Sequence, residues 1–494
     1  MTSNNSTDSI DILLVLEGTY PYVRGGVSSW INNIILGFPA LKFGVIFLGS
    51  TRNDYSQKHY DLASNIVFYR EFFLYERQEL TGKKKNLTET NINNIQESHK
   101  AFNKNNRMHN QFDIEKLKSN FNITHKDFLE HRAIWEYITS TYESIKNKPS
   151  FIDYFWTIRG MHEPLWLLSQ ICSEMPHSSI IHCASTGYAG YLGAMISHSQ
   201  NSRLIISEHG IYTKERRIDL MLAEWIPDRN ALIEQSNTQI SHIRSLWIRF
   251  FEILAQVAYQ QAQFIVNLYG GAQQLQIKDQ ASPEKLLTIP NGIKVSDFSE
   301  YRHSFDDVPA VIALIGRIVP IKDIKTYIRA AHILLKKNSN IIAWIVGPEE
   351  EDPEYFLECQ LLIEHLQLES QIQFLGYQST AEILGKIRVS VLCSISEGLP
   401  LTILESFAAG VPVVATDVGS CSELIHGRDT DDQSLGSAGY IVDIANPEAL
   451  ASAIFLLLNN STIWHEMSTI GISRVERYYQ QSQMFSAYAT LYQI

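Results

Sequence analysis

Short apolar runs recur along this 494-residue chain in two series, with helical segments between them. The first series comprises Asp11 to Leu16, Val45 to Leu48, Ile66 to Tyr69, Ile180 to Cys183, Leu204 to Ser207, Phe264 to Val266 and Leu286 to Ile289. The second comprises Val311 to Ile315, Ile341 to Val346, Ile372 to Leu375, Val389 to Cys393, Val413 to Thr416 and Tyr440 to Val442. Runs this short and this apolar suit strands covered on both faces, as in a parallel sheet. Strands that alternate with helices imply βαβ units. Pro290-Asn291-Gly292 is turn punctuation between the two series. The expectation is an α/β protein of two Rossmann-like domains facing across a cleft, residues 1–295 and 296–475. A last helix over 476–494 carries an apolar stripe (Met484, Phe485, Tyr488, Leu491, Tyr492) and is expected to pack back on the first domain. Asn446-Pro447 supplies a capping side chain and a first-turn proline for another helix.

Residues 75–148 break the pattern. They are rich in Asn, Lys, Glu and Gln, include Lys83-Lys84-Lys85, and show helical spacing from Phe121 to Ile138. We read them as a mostly helical insertion that opens with a solvated basic loop.

Composition narrows the function. The net charge of −12 argues against general nucleic-acid binding, which needs a basic surface. A local basic pocket for one phosphorylated ligand stays open. No apolar run approaches the roughly 20 residues of a membrane helix, and Met1 to Ser9 has neither the basic flank nor the apolar core of a secretory signal, so a cytoplasmic location is expected. The five cysteines form no CxxC pair, which points to neither zinc nor a disulfide framework.

Four segments could carry chemistry. Gly25-Gly26 precedes a helix from Val27 to Leu36, where unpaired N–H groups and close backbone approach suit a phosphate. The spacing is not GxGxxG, which disfavours a nicotinamide dinucleotide. Gly316-Arg317 follows a strand, and Lys322 lies five residues on; two fixed cations suit a departing diphosphate. Glu397-Gly398-Leu399-Pro400 follows another strand, with Glu405 eight residues beyond Glu397 on the next helix. Ser207-Glu208-His209-Gly210 ends a fourth strand and leads to Lys214, Arg216 and Arg217. Each segment alone also fits an ordinary turn, a surface cation, a solvent-facing helix residue or a buried histidine.

Together they resemble the retaining glycosyltransferases of family 4, which have the GT-B fold. That family carries a glycine pair after its first strand, a GR-x4-K pair and an E-x7-E motif. Here these are Gly25-Gly26, Gly316-Arg317 with Lys322, and Glu397 with Glu405. LLVLEGTYPYVRGGVSSW (Leu13 to Trp30), SEHGIYTKERR (Ser207 to Arg217) and GRIVPIKDIKTYIRA (Gly316 to Ala330) look closer still to the PelF type, the cytosolic glycosyltransferases of Pel exopolysaccharide synthesis. The likeness covers about 10–50 and 150–470.

By that resemblance Arg317 and Lys322 would bind the donor diphosphate, Glu397 would face the donor sugar and Glu405 the nucleotide ribose. Backbone groups of Gly398, Leu399 and Pro400 would help hold the donor, Gly25 and Gly26 would border its phosphate, and His209 would contact its sugar. The implied activity is transfer of a hexose or N-acetylhexosamine from a UDP-sugar to a growing exopolysaccharide, with retention. No cofactor and no metal are expected, since no DxD motif stands at a plausible strand end. Pel-type inner-membrane components are the implied partners. The alternative is a non-catalytic UDP-sugar-binding scaffold in an export complex. PelF-like chains are expected to carry an arginine after the cysteine of the VGSC segment, but Ser422 follows Cys421 here.

Overall fold

The computed structural model describes residues 9–76, 130–146, 148–223, 225–226 and 240–494, with the single positions 93, 114 and 126. Contacts divide the chain into two compact units: Met1–Asn267 with Gln273–Leu287, and Leu268–Ala272 with Thr288–Ile494.

The first unit opens with β1 (Ile10–Glu17), α1 (Gly26–Gly37), β2 (Phe43–Gly49) and β3 (Ile66–Phe73), then α2 (Arg132–Glu143) and α3 (Phe151–Glu174). It continues through β4 (Ser178–Cys183), α4 (Tyr188–Gln200), β5 (Arg203–Glu208), α5 (Tyr212–Leu222), α6 (His242–Gln261), β6 (Phe264–Asn267), the helix α7 (Gly270–Lys278) and β7 (Leu286–Thr288). The strands form one sheet in the order β3-β2-β1-β4-β5-β6-β7. β1 pairs in parallel with both β2 and β4, so Leu13 faces Gly44 on one side and Ile181 on the other. The strand order therefore reverses beside β1, and open α/β sheets bind ligands beyond the strand ends at such a reversal. α1 buries Trp30, Ile31, Ile34 and Ile35 on one face, as its apolar spacing requires. α4 lies so close to β4 that a Cβ at Gly193 would stand 2.2 Å from the Cys183 sulfur.

The second unit runs β8 (Val311–Ile315), α8 (Ile324–Lys337), β9 (Ile342–Val346), α9 (Pro353–His365), β10 (Ile372–Phe374), β11 (Val389–Leu392) and α10 (Leu401–Ala408). It ends with β12 (Val413–Thr416), α11 (Cys421–His426), β13 (Gly439–Val442), α12 (Pro447–Asn459), α13 (Ser461–Tyr478) and α14 (Gln481–Tyr492). Its sheet has the order β10-β9-β8-β11-β12-β13, again all parallel, with the reversal beside β8. The Asn446 side chain accepts a hydrogen bond from the Ala449 amide at 3.0 Å and caps α12 as its Asn-Pro start predicts. Arg474 on α13 is fully buried. It donates to the Asp432 carboxylate at 2.5 Å and to the carbonyls of Leu424, Ile425, Asp432 and Gly436, fixing the end of α11.

Two Rossmann-like units of parallel sheet and helix agree with the predicted fold class, and the strand bounds differ by a few residues at most. The chain carbonyl and amide of Ile293 bond to Gln481 and Tyr479, so the start of α14 is tied to the segment that opens the second unit. The five cysteines are buried and free. Of the predicted insertion over 75–148, Arg132–Glu143 is helical, overlapping the end of the stretch from Phe121 to Ile138 where helical spacing was read and running five residues past it. Lys83 to Lys85 and most of Phe121 to Leu129 lie outside the described residues. Among the described residues, no helix is long and apolar enough to cross a membrane.

Candidate functional site

At the carboxyl edge of the first sheet, β5 ends in Glu208 and delivers His209 to the loop. Glu208 is buried and accepts hydrogen bonds from Gln276 (2.8 Å), Tyr259 (2.5 Å) and Thr186 (3.1 Å). Burial raises its pKa, and these donors oppose the rise. The network fixes the backbone from which His209 projects. The His209 ring meets the Trp30 ring edge-on at 4.5 Å, and Trp30 lies one turn into α1. Burial pushes the imidazoles of His209 and of neighbouring His182 down to about 3. Both rings are therefore neutral at physiological pH, and His209 can offer a neutral hydrogen-bonding edge but no positive charge.

Gly25 caps α1 and Gly26 is its first residue. A Cβ at either would meet no atom within 4 Å, so open space lies before this helix terminus. Beside it is a cavity of about 470 Å³, whose wall includes Glu17, His209, Tyr212, Glu215, Arg216 and Trp225. The Glu17 carboxylate, at the end of β1, accepts from the Tyr212 hydroxyl at 2.8 Å and the Ala189 amide at 3.2 Å.

In the second unit, Gly316 and Arg317 follow β8. The Gly316 amide donates to the Val346 carbonyl, and a Cβ at Gly347 would stand 1.9 Å from the Gly316 carbonyl oxygen. This close approach seats the loop on the end of β9. Lys322 closes a short turn, Pro320–Lys322, ahead of α8. Its ammonium donates to Glu397 Oε1 at 2.6 Å, with the two side chains 21% and 13% exposed. Glu397 stands in the loop between β11 and α10. The Gly398 carbonyl accepts from the Ser420 amide at 2.9 Å, Leu399 is buried and Pro400 caps α10. Gly419 has φ +56, and a Cβ there would lie 2.2 Å from the Glu397 carbonyl oxygen. Only glycine meets both demands at once.

Each of the two cations expected from the sequence is ion-paired in the structure. Lys322 is held by Glu397, and the Arg317 guanidinium forms a half-exposed ion pair with Glu351, 34 residues on. Glu405 is on α10 as predicted. Burial of its carboxyl raises its pKa to about 7, although the residue as a whole is only partly covered. Its side chain makes no hydrogen bond among the described residues. The structure thus joins Lys322 to Glu397 in one unit, and in the other brings His209 to the helix that Gly25-Gly26 begins. Sequence reasoning missed Glu351 and the Glu17–Tyr212–Arg216 group. The signal available for Glu17 was its place as the first charged residue after an apolar strand; Glu351 gave none.

Comparison with known proteins follows the same division. Residues 10–284 match the family described as a domain of unknown function (DUF3492), and residues 296–474 match glycosyl transferases group 1. The chain is 26% identical over 184 residues to the N-acetyl-alpha-D-glucosaminyl L-malate synthase of Bacillus anthracis, covering 37% of this chain and 45% of that protein. It is 23% identical over 257 residues to the MMP alpha-(1->4)-mannosyltransferase of Mycolicibacterium hassiacum, covering 52% and 57%. The chain spans about half the length of these curated relatives. Among solved structures, Anabaena Alr3699/HepE in complex with UDP and glucose superposes with a TM-score of 0.58 at 13% identity, over 98% of this chain and 99% of that one.

Proposed function

Because the chain belongs to the DUF3492 family and carries a group 1 glycosyl transferase domain of the GT-B superfamily, we propose that it transfers a hexose or N-acetylhexosamine from a UDP-sugar to a growing polysaccharide, with retention at the anomeric carbon. The observation that carries this reading is the Lys322–Glu397 ion pair, set beyond β8 and β11 beside the reversal of strand order. A cation and a carboxylate held side by side at a strand-end edge would suit a donor whose diphosphate and sugar need opposite charges.

The barrier to the reaction is separation of an oxocarbenium-like sugar from a diphosphate. Lys322 and Arg317 would stabilise the charge that the diphosphate gains, as fixed cations in a prepared site. The acceptor oxygen bonds to the anomeric carbon on the face that the phosphate oxygen leaves, and that phosphate oxygen takes the acceptor's proton. Glu397 would orient the sugar and favour its positive charge without forming a covalent bond. Glu405 would accept hydrogen bonds from the nucleotide ribose. Gly398, Leu399 and Pro400 would supply backbone contacts to the donor, and the open helix terminus at Gly25 and Gly26 would border its phosphate. Neutral His209 would contact the transferred sugar. With two cations assigned to the leaving group, the reading needs no metal. UDP as the nucleotide is supported by the UDP-bound HepE structure, which shares the fold. The Pel-like acceptor and inner-membrane partners rest on the PelF resemblance.

Calorimetric titration with UDP, ADP and GDP in the presence of a chelator, on the native protein and the Lys322→Ala variant, tests the reading. Selective UDP binding that the variant loses is the expected result. No nucleotide binding by folded native protein would overturn it.

A further inference from the structure

Lys322 is delivered by an irregular stretch of backbone. The Lys322 amide donates to the Val319 carbonyl and the Asp323 amide to the Pro320 carbonyl, each at 3.0 Å, which closes the short turn. Asp323 then takes φ +45 and ψ +50, in the left-handed region. It also caps α8, its carboxylate accepting from the Thr326 amide at 3.3 Å. An N-cap residue ordinarily lies in the extended region. The residues that cap α9 to α14 all have negative φ. Capping therefore does not require the conformation of Asp323. A left-handed residue other than glycine is strained, and it persists where its surroundings impose it. Here the surroundings belong to the segment that leads from β11 to Glu397. The Cys393 thiol donates to the carbonyls of Lys322 (3.5 Å) and Asp323 (3.3 Å), and the Ile395 amide donates to the carbonyl of Ile321 at 2.8 Å. Successive carbonyls of the Lys322 turn, at Ile321, Lys322 and Asp323, are thus held from the Glu397 side of the site.

Rotating Asp323 into the ordinary helical region would turn the peptide groups on either side of it. The carbonyls of Lys322 and Asp323 would leave the Cys393 thiol, and the Lys322 main chain would shift relative to Glu397. Aspartate is one of the few side chains that tolerate the left-handed region, because its short polar group can bond locally, and it is also a strong N-cap. Glycine would meet the first demand and serine the second; Asp323 meets both. We propose that Asp323 is a positioning residue of the anion site. Its left-handed backbone, gripped by Cys393, holds the Lys322 main chain still, so that the ammonium passes from Glu397 to a donor's diphosphate by rotation of its own side chain. Asp323 acts through Lys322, since its carboxylate is engaged by the Thr326 amide. The inference rests on the transferase reading, which supplies the diphosphate.

The test compares Asp323→Asn, Asp323→Gly and Asp323→Ser in the full chain. Each is titrated with UDP by calorimetry and with uridine by ligand-observed NMR, and thermal unfolding reports whether it is folded. Asparagine keeps both properties, glycine keeps the left-handed backbone without the cap, and serine keeps the cap without the backbone. UDP affinity should follow the backbone: within about threefold of native for Asn and Gly, and roughly tenfold weaker for Ser. Uridine has no phosphate to meet Lys322, so its affinity should stay within about twofold of native in all three. Native UDP affinity in a folded Asp323→Ser protein overturns the inference. So does a loss in Asp323→Gly equal to that in Asp323→Ser, which would assign the effect to the cap. A loss for uridine as large as that for UDP would show a general disturbance and overturns it too. Should Asp323→Ser not fold, Cys393→Ala removes the grip instead: UDP should bind roughly threefold more weakly with uridine unchanged, and native UDP affinity there overturns the inference. Absence of UDP binding by folded native protein would instead remove the transferase reading beneath it.

Discussion

The Lys322 ammonium, proposed to meet the donor's diphosphate, is paired with Glu397. Replacing Glu397 by Gln keeps the shape and removes that competitor. The N–O distance is 2.6 Å, and about a fifth of one side chain and an eighth of the other are exposed. An exposed pair contributes roughly 0–1 kcal/mol, and breaking a buried one costs about 3–5 kcal/mol. This pair falls between, so about 1–2 kcal/mol must be given up when Lys322 turns to a phosphate. On the proposed reading Glu397→Gln should therefore tighten UDP binding by roughly 5–30-fold, while sugar transfer falls because the carboxylate assigned to the sugar is gone.

Removing any negative charge near an anion site would tighten binding somewhat, so the single variant is not decisive. Calorimetry on native protein, Glu397→Gln, Lys322→Ala and the double variant closes a cycle. If the ion pair is the cause, Glu397→Gln changes UDP affinity little once Lys322 is absent. A gain that persists in the Lys322→Ala background would show a diffuse field effect. UDP binding that weakens in Glu397→Gln would refute the competition outright.

Four further expectations follow from the same geometry. Arg317→Ala should weaken UDP binding roughly tenfold but leave the melting temperature within about 2 °C, since its pair with Glu351 is half-exposed and worth under about 1 kcal/mol; a large thermal loss would assign Arg317 a structural role. Gly419→Ala should push back the Glu397 carbonyl and lower transfer and UDP affinity together, at a cost of about 1–3 kcal/mol; unchanged turnover would show that the loop can yield. Glu405 has a folded-state pKa of about 7, above its ordinary value, so the native state binds the extra proton between about pH 4.5 and 7 and stability falls as pH rises through that window; Glu405→Gln should flatten that part of the curve in thermal unfolding, and an unaltered slope would refute the assignment. Arg474→Ala leaves Asp432 buried and unpaired and should cost about 3–5 kcal/mol, read as a lowered melting temperature.

How far the sequence could be read depended on the range of the interaction. Strands such as Val311–Ile315 and Val413–Thr416 are apolar, but for the last residue of the second, because helices or neighbours cover both faces, and their bounds coincide with the runs themselves. The cap at Asn446 spans three residues and was equally visible. The GR-x4-K and E-x7-E segments could be found because each lies in one loop and its following helix. The partners that set their charge state could not. Lys322 and Glu397 are 75 residues apart, Arg317 and Glu351 are 34, and Asp432 and Arg474 are 42; no local periodicity encodes those meetings. The cavity wall was hidden for the same reason, since Glu17, Glu215 and Trp247 reach it from β1, α5 and α6.

Those long-range pairings change what the proposed anion site would require. Free cations in a medium rich in phosphates would collect many anions, and an acidic surface reduces that only at a distance. Here each cation assigned to the diphosphate carries its own carboxylate: Glu397 on Lys322 and Glu351 on Arg317. A ligand must displace those carboxylates, so a lone phosphate gains little from either cation. On the proposed reading a nucleoside diphosphate-sugar would offset the exchange by other contacts, with its ribose at Glu405 and its sugar at the released Glu397. On that reading selection at the anion site would be made by which partner each cation already has, a property of the folded chain that no motif displays.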